Sequence, residues 1–323
     1  MRMIWTPITL TNSQSAPTPA PFQQMIQAPI TYQNGVRFWS PTDGWLYAWL
    51  ESISSGIGTI WVRIPSSIPA GGTYQLYMIQ DSTLPMDGVY WGEAPQLSST
   101  YGQYDNGANV FGVYDNFAGT SLSSQWTEIN SPTVSVNNGI TVTGNGQAGG
   151  IVLNTKYPFP AVLEAYSGNT WGYSGFMFVN DINGSPYSVN AWVSNGPSPG
   201  EAYNGLVADP WGTNSVDAFI CTTNGNSIYY GTSVASMILN AIVSIYSTGS
   251  QVAQLINYGS TNSQSTSASL PSTTYNIEIY SSNTNPISLH WIRYRAYPPN
   301  GVMPAVSFGA SQYSGELITV TVP

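Results

Sequence analysis

Residues Ser131–Gly144 read SPTVSVNNGITVTG. Val134 and Val136 precede Asn138-Gly139, and Ile140 and Val142 follow it, each alternating with a hydroxylated residue. Apolar and polar residues alternating with period two are the signature of a strand that buries one face. Asn-Gly tolerates the positive φ that both central residues of a type I′ turn require. The stretch therefore predicts a β-hairpin with a two-residue turn, and a sheet resting one face on a core.

The same texture extends in both directions. Short apolar runs bounded by Gly, Pro, Asn and Ser recur as MIWTPITLT, GWLYAWLES, TIWVRIP and TYQLYMI in the first hundred residues. Further along they recur as GGIVLNT, AVLEAYS, GFMFVND, SVNAWVS, NGLVAD, DAFICTT, NSIYYG, NAIVSIYST, QVAQLINYG, YNIEIYSS and LHWIRYRAY. Amphipathic helical periodicity is nearly absent, and no 20–50-residue unit repeats, which excludes solenoids and propellers. APTPAPF (Ala16–Phe22) alternates proline and reads as an extended crossover, because proline cannot sit in a central strand. SVASMILNAIVSIYS is too short and interrupted to span a bilayer. Many short strands with regular turn signals predict an all-β protein of two β-sandwich, jelly-roll-like domains. The texture changes near Gly107, so the expected domains are 1–108 and 109–309. Residues 310–323, with ELITVTV, remain as a strand free to pair with a neighbour.

Composition narrows the function. Only 7% of residues are charged, although 42% are hydrophobic and 13% aromatic. An ordinary soluble chain carries about 25% charged residues. Six cations against fifteen acids leave a net charge of −9. No basic footprint for nucleic acid and no polybasic segment for anionic lipid can be built from that set. Few ion pairs also leave few carboxylates whose protonation would unfold the chain. Work outside the cytoplasm, in acidic surroundings, is expected. The start MRMIWTPITLTNSQ lacks the apolar core of an export signal, which favours a virion component over a secreted one.

Reactive constellations are sparse. Cys221 is the sole cysteine and His290 the sole histidine, so zinc is excluded on ligand supply. Cys221 in DAFICTT reads as a small buried apolar residue. Asp105, Asp115 and Asp181 sit in Asx-rich turns where calcium could bind, but Asx residues are also ordinary turn formers. No cofactor is expected. Serine catalysis lacks both a nucleophile elbow and a neighbouring base. Asn183 opens the NGS glycosylation sequon. Trp171, Tyr173, Trp192, Tyr203 and Trp211 fall in or near Gly- and Asn-rich loops and are the expected ligand contacts.

The rare residues concentrate in SLHWIRYRAYPPNG (Ser288–Gly301). Regular alternation would set His290, Ile292, Tyr294 and Ala296 on one face, and Trp291, Arg293 and Arg295 on the other. The two arginines would then pair with a carboxylate such as Glu278 on a neighbouring strand. Pro298-Pro299 would end the ladder.

Two segments carry a family resemblance. WTPITLTNSQSAPTPAPFQQMIQ, GTIWVRIPSSIPAGGTYQLYM and GEAPQLSSTYGQYDNGANVF, within about 4–111, resemble a domain of unknown function found in archaeal and bacterial surface proteins. YDNFAGTSLSSQW through LHWIRYRAYPPNGVMPAVSFG, about 112–309, resembles the concanavalin A-like lectin/glucanase sandwich. The resemblance implies a fold and an exterior location. The glucanase branch carries Glu-x-Asp-x-x-Glu on one strand, and this chain has no such triplet; Glu164 and Glu278 stand alone on their strands. The expected function is a non-enzymatic structural or attachment component on the virion surface of an archaeal virus. Its expected partners are copies of itself, other virion proteins and surface glycans, without nucleic acid or membrane insertion. A cell-surface adhesin or filament subunit, and a carbohydrate-active enzyme or lectin module, are the alternatives.

Overall fold

In the computed structural model the described residues are 3–146, 149–172, 174–181, 201–208, 216–221, 229–230, 239–248, 251–265, 273–281 and 284–314. The chain divides into two compact units, Met1–Val113 with Pro298–Pro323, and Tyr114–Tyr297. The first contains β1 (Met3–Thr11), β2 (Phe22–Pro29), β3 (Val36–Ser40), β4 (Gly44–Leu46), β5 (Ala48–Ser54), β6 (Ile57–Ile64), β7 (Thr73–Asp81), β8 (Trp91–Glu93) and the one-turn helix α1 (Gly107–Val110). The chain continues through β9 (Val113–Asp115), β10 (Trp126–Ile129), β11 (Thr133–Val136), β12 (Ile140–Thr143), β13 (Gly149–Leu153), β14 (Tyr157–Pro158), β15 (Ala161–Trp171) and β16 (Ser174–Asp181). Then come β17 (Glu201–Ala208), β18 (Val216–Cys221), β19 (Tyr229–Tyr230), β20 (Ile242–Ser247), β21 (Gln251–Ile256), β22 (Ser260–Ser265), β23 (Thr274–Ser281) and β24 (Ile287–Ala296). After a 3-10 turn at Pro299–Gly301, β25 (Ala305–Phe308) and β26 (Gln312–Tyr313) complete the described chain. The protein is all-β, as its alternation predicts.

In the first unit a sheet ordered β25-β1-β7-β3-β4, with β26 also on β1, faces a second sheet ordered β2-β6-β5-β8. Every second residue of β1 is buried. Ile8 and Leu10 meet Ile26, Leu50, Val62 and Trp91 in the core between the sheets. Each fully buried side chain of this size contributes about 1.5–3 kcal/mol. The reverse face of the smaller sheet holds Trp49 and Trp61, both edge-on to Phe111 at 5.4 and 6.0 Å. Their indole N–H groups donate to Asp105 and Glu51, so the buried rings leave no donor wasted.

The C-terminal part departs from the sequence reading. The second unit ends at Tyr297 rather than 309, and β25 and β26 pair antiparallel with β1 of the same chain. Pro298 and Pro299 stop the β24 ladder, and Asn300 and Gly301 turn the backbone at φ 52° and 77°. Residues 310–314 thus add to the chain's own sheet; ELITVTV lies outside the described residues.

The second unit is a sandwich of two eight-stranded sheets. One is ordered β10-β13-β23-β16-β17-β18-β19 with β14 on β23; the other is ordered β11-β12-β24-β15-β20-β21-β22 with β9 on β24. Phe178 of β16 meets Tyr294 of β24 edge-to-face at 6.2 Å, which marks the inner face of each sheet. The opening hairpin forms as β11 and β12, but Val136 pairs with Ile140, so its loop has three residues, Asn137–Gly139, rather than two. Asn138 and Gly139 do take positive φ, 54° and 123°.

Candidate functional site

The site is built on the outer face of the sheet that contains β24. Trp291 pairs with Tyr166 and Leu289 with Ser167, so His290 is an extra residue without a counterpart. Such a bulge re-aims a side chain. The His290 ring lies 4.9 Å from Tyr166 at 31°, and Tyr166 also lies 5.9 Å from Trp291. His290 therefore shares the face of Trp291 and the arginines. Strict alternation, which placed it opposite them, fails at this residue because the ladder gains one position there.

Outward from the bulge is a buried ion cluster. Arg293 Nε donates to Glu164 Oε2 at 2.7 Å, and Arg295 Nη2 donates to Glu164 Oε1 at 2.8 Å. All three side chains are fully buried. Ser244 Oγ donates to Glu164 at 2.9 Å, and the arginines also donate to the hydroxyls of Tyr258 and Tyr246. Burial pushes the Glu164 carboxyl up, but the two guanidiniums and their hydrogen bonds outweigh it and hold its pKa at about 2. The partner expected for the arginines, Glu278, is elsewhere. Register aligns Ile277 with the inward-facing Phe178, so the next residue, Glu278, points out of the opposite sheet. Glu278 is 1% exposed, sits in register with Met177 and Val152, and its Oε2 has no hydrogen-bond partner among the described residues. Burial alone drives its pKa well above the usual carboxylate value. Glu164 and Glu278 thus lie on opposite outer faces of one sandwich and cannot flank a common glycosidic bond.

Beside His290 the outer face opens into a polar groove of about 460 Å³. Its floor is a cross-strand row of small residues, Ser135–Thr141–Ser288, continued by Gly168. A Cβ on Gly168 would lie 2.5 Å from Ser288 Oγ, so glycine is needed for the close approach. The hydroxyl of Ser288 is committed to the backbone of Thr170, accepting from its N–H and donating to its carbonyl. The rim is amide-rich, with Asn137, Asn138, Asn169 and Asn240 exposed. His290 is the titratable member of the lining, and burial lowers its pKa, which keeps it neutral at pH 7. A groove of amides and hydroxyls can trade donors and acceptors with a polyhydroxylated ligand; among the described residues it holds no carboxylate for acid–base work.

The structure places the sequence candidates as follows. Trp171 is a core residue, 3% exposed, with its indole donating to Ser174 O and its ring 5.9 Å from Phe176, and it presents no face to a ligand. Tyr203 lies in β17 opposite Val179 and Cys221, and its side chain is outside the described set. Tyr173, Trp192, Trp211 and Asn183 are outside the described residues. Asp105 accepts from Trp49 and from the N–H of Gly107. Asp115 accepts from the N–H of Phe117 and from the side chains of Gln125 and Trp126. Both aspartates work as local turn acceptors. Asp181 is described only as a β16 position paired with Glu201. Among the described residues no three His, Cys, Asp or Glu side chains cluster as a metal set. Sequence reasoning missed the groove; the NNG turn and the isolated histidine were its visible signals.

No family model matches this chain. It is 32% identical over 350 aligned positions to uncharacterized protein 562 of Sulfolobus islandicus rod-shaped virus 1. The match covers 92% of this chain, which spans 58% of the length of that curated relative. Among solved structures, a Bacillus licheniformis β-glucanase is similar at 13% identity and TM-score 0.39, over 57% of this chain and 97% of that one. A laminarinase from Flavobacterium is similar at 10% identity and TM-score 0.43, over 57% and 99%. The carbohydrate-binding module CBM66 from Bacillus subtilis is similar at 8% identity and TM-score 0.37, over 53% and 95%.

Proposed function

We propose that this chain is a non-enzymatic exterior protein of an archaeal virus particle that binds neutral glycans in the polar groove of its second sandwich. The groove carries the reading: a floor of small residues and a rim of amides, uncharged at acidic and neutral pH alike, suit hydroxyl-bearing ligands. The viral setting is supported by the likeness to a rod-shaped-virus protein. The low charge supports an acidic exterior. The non-enzymatic part is supported by the two isolated carboxylates, one clamped by two arginines and the other on the opposite face.

The test incubates the full chain with neutral polysaccharides and a glycan array at pH 3 and pH 7. Binding without new reducing ends is expected. Release of reducing ends that Glu164→Gln or Glu278→Gln abolishes would make the protein a glycosidase instead. Mass spectrometry of purified particles would check the exterior assignment, and absence of the chain from them would remove it.

A further inference from the structure

The first unit carries a second exposed feature, on the reverse face of its larger sheet. Pro7 of β1 pairs with Tyr77 of β7, Tyr77 with Trp39 of β3, and Trp39 with Trp45 of β4. Residues in direct register across neighbouring strands project from the same face. These four rings therefore form one continuous row across four strands. Trp5 joins it diagonally, its ring 6.4 Å from Tyr77, while Trp39 lies 5.9 Å from Tyr77. The core-facing partners in the same strands are Ile8, Leu76, Phe38 and Leu46, so the row is not needed to seal that core. Trp45 is 52% exposed, and Trp5, Trp39 and Tyr77 are half-buried.

The flanks decide what the row can hold. On one side Thr9 and Gln75 pair in register, and Thr9 Oγ1 donates to Gln75 Oε1 at 3.0 Å. On the other side Arg37 is committed to Asp87 at 2.8 Å and to the carbonyls of Val36 and Pro85. Arg37 is the one cation in β1, β3, β4 and β7, the strands that carry the rings, and the chain is net −9. An anionic polymer or membrane finds no counter-charge here. A second copy of the chain would need about 1,000 Å² or more of buried surface with an apolar centre extended in two dimensions. Here the rings form a narrow stripe, with Trp5 and Ile79 on one side ending at Arg37, and Thr9 and Gln75 bordering the other. A neutral linear sugar polymer fits both limits. Its C–H faces can rest on the negative faces of the rings, and its hydroxyls can reach the threonine and glutamine side chains.

We propose that the Pro7–Tyr77–Trp39–Trp45 row, with Trp5, is a second binding surface, for an uncharged polysaccharide chain lying across the strands. It is separate from the groove of the other unit and stands whether or not that groove binds. The experiment is depletion of the full chain from solution by insoluble β-1,4-glucan, β-1,3-glucan, chitin and starch, at low and high salt. Wild type is expected to bind at least one of them with little salt dependence. Trp45→Ala, at an exposed position, is expected to weaken that binding at least tenfold with unchanged near-ultraviolet circular dichroism, and Trp45→Phe to restore most of it. Failure of wild type to bind any of the four overturns the proposal. So does equal binding by Trp45→Ala. Concentration-dependent self-association of wild type that Trp45→Ala abolishes would also overturn it, by making the row an interface between copies.

Discussion

Two buried glutamates titrate in opposite senses. Glu164 is held at about 2, below the roughly 4.3 of an unfolded glutamate, so its contribution is present above pH ~4.3 and lost as pH falls toward 2. Glu278 is raised, so its contribution is full below pH ~4.3 and lost as pH rises through its folded value. Glu164→Gln leaves two buried guanidiniums without their counter-charge and is expected to destabilise the fold by about 3–5 kcal/mol at pH 7, measured by urea unfolding. Glu278→Gln removes an ionisation that the buried site opposes. Its thermal midpoint, relative to wild type, is expected to be higher at pH 7 than at pH 3; an equal offset at both would show that Glu278 titrates normally. The sequence marked Arg293 and Arg295 as an ion-pair set but not their partner. Both glutamates occupy strands of similar texture, and only the strand order puts Glu164 beside β24.

At the scale of elements, the period-two texture was legible in many of the strands, including β1 at its full length and the β11–β12 hairpin. β2 and β3 were not read, because FQQMIQAP and VRFWS mix polar and apolar residues without a clean alternation. The bulge at His290 was also silent. Nothing in LHWIRYRAY marks where the β15 partner loses a position, so the histidine was assigned to the wrong face. The three-residue loop that walls the groove brings Gly139 against the same strand. A Cβ there would lie 2.9 Å from Leu289 O, at φ 123°. Gly139→Ala is expected to cost about 1–3 kcal/mol, read from chemical denaturation. Asn137→Ala, at an exposed neighbour without that constraint, is expected to change stability by less than about 0.5 kcal/mol.

At the scale of the whole molecule, composition spoke more clearly than motifs. Abundant hydroxyl and aromatic side chains with Gly and Pro punctuation anticipated an all-β chain. Which aromatics are presented was not legible. Trp171, chosen for its Gly-rich surroundings, is core, whereas Trp39 and Trp45 were passed over although they cap a sheet. The return of β25 and β26 to β1 was equally hidden, because a terminal strand pairs alike with its own sheet or a neighbour's. If the amide-rimmed groove is the ligand site, removing its amides must weaken ligand binding. A neutral-glycan panel at pH 7, screened in parallel with wild type and Asn137→Ala/Asn169→Ala, tests it most directly. Wild type is expected to bind at least one glycan, and the double variant to bind it at least tenfold more weakly with unchanged stability. Equal binding by both proteins, or none by wild type, would contradict it.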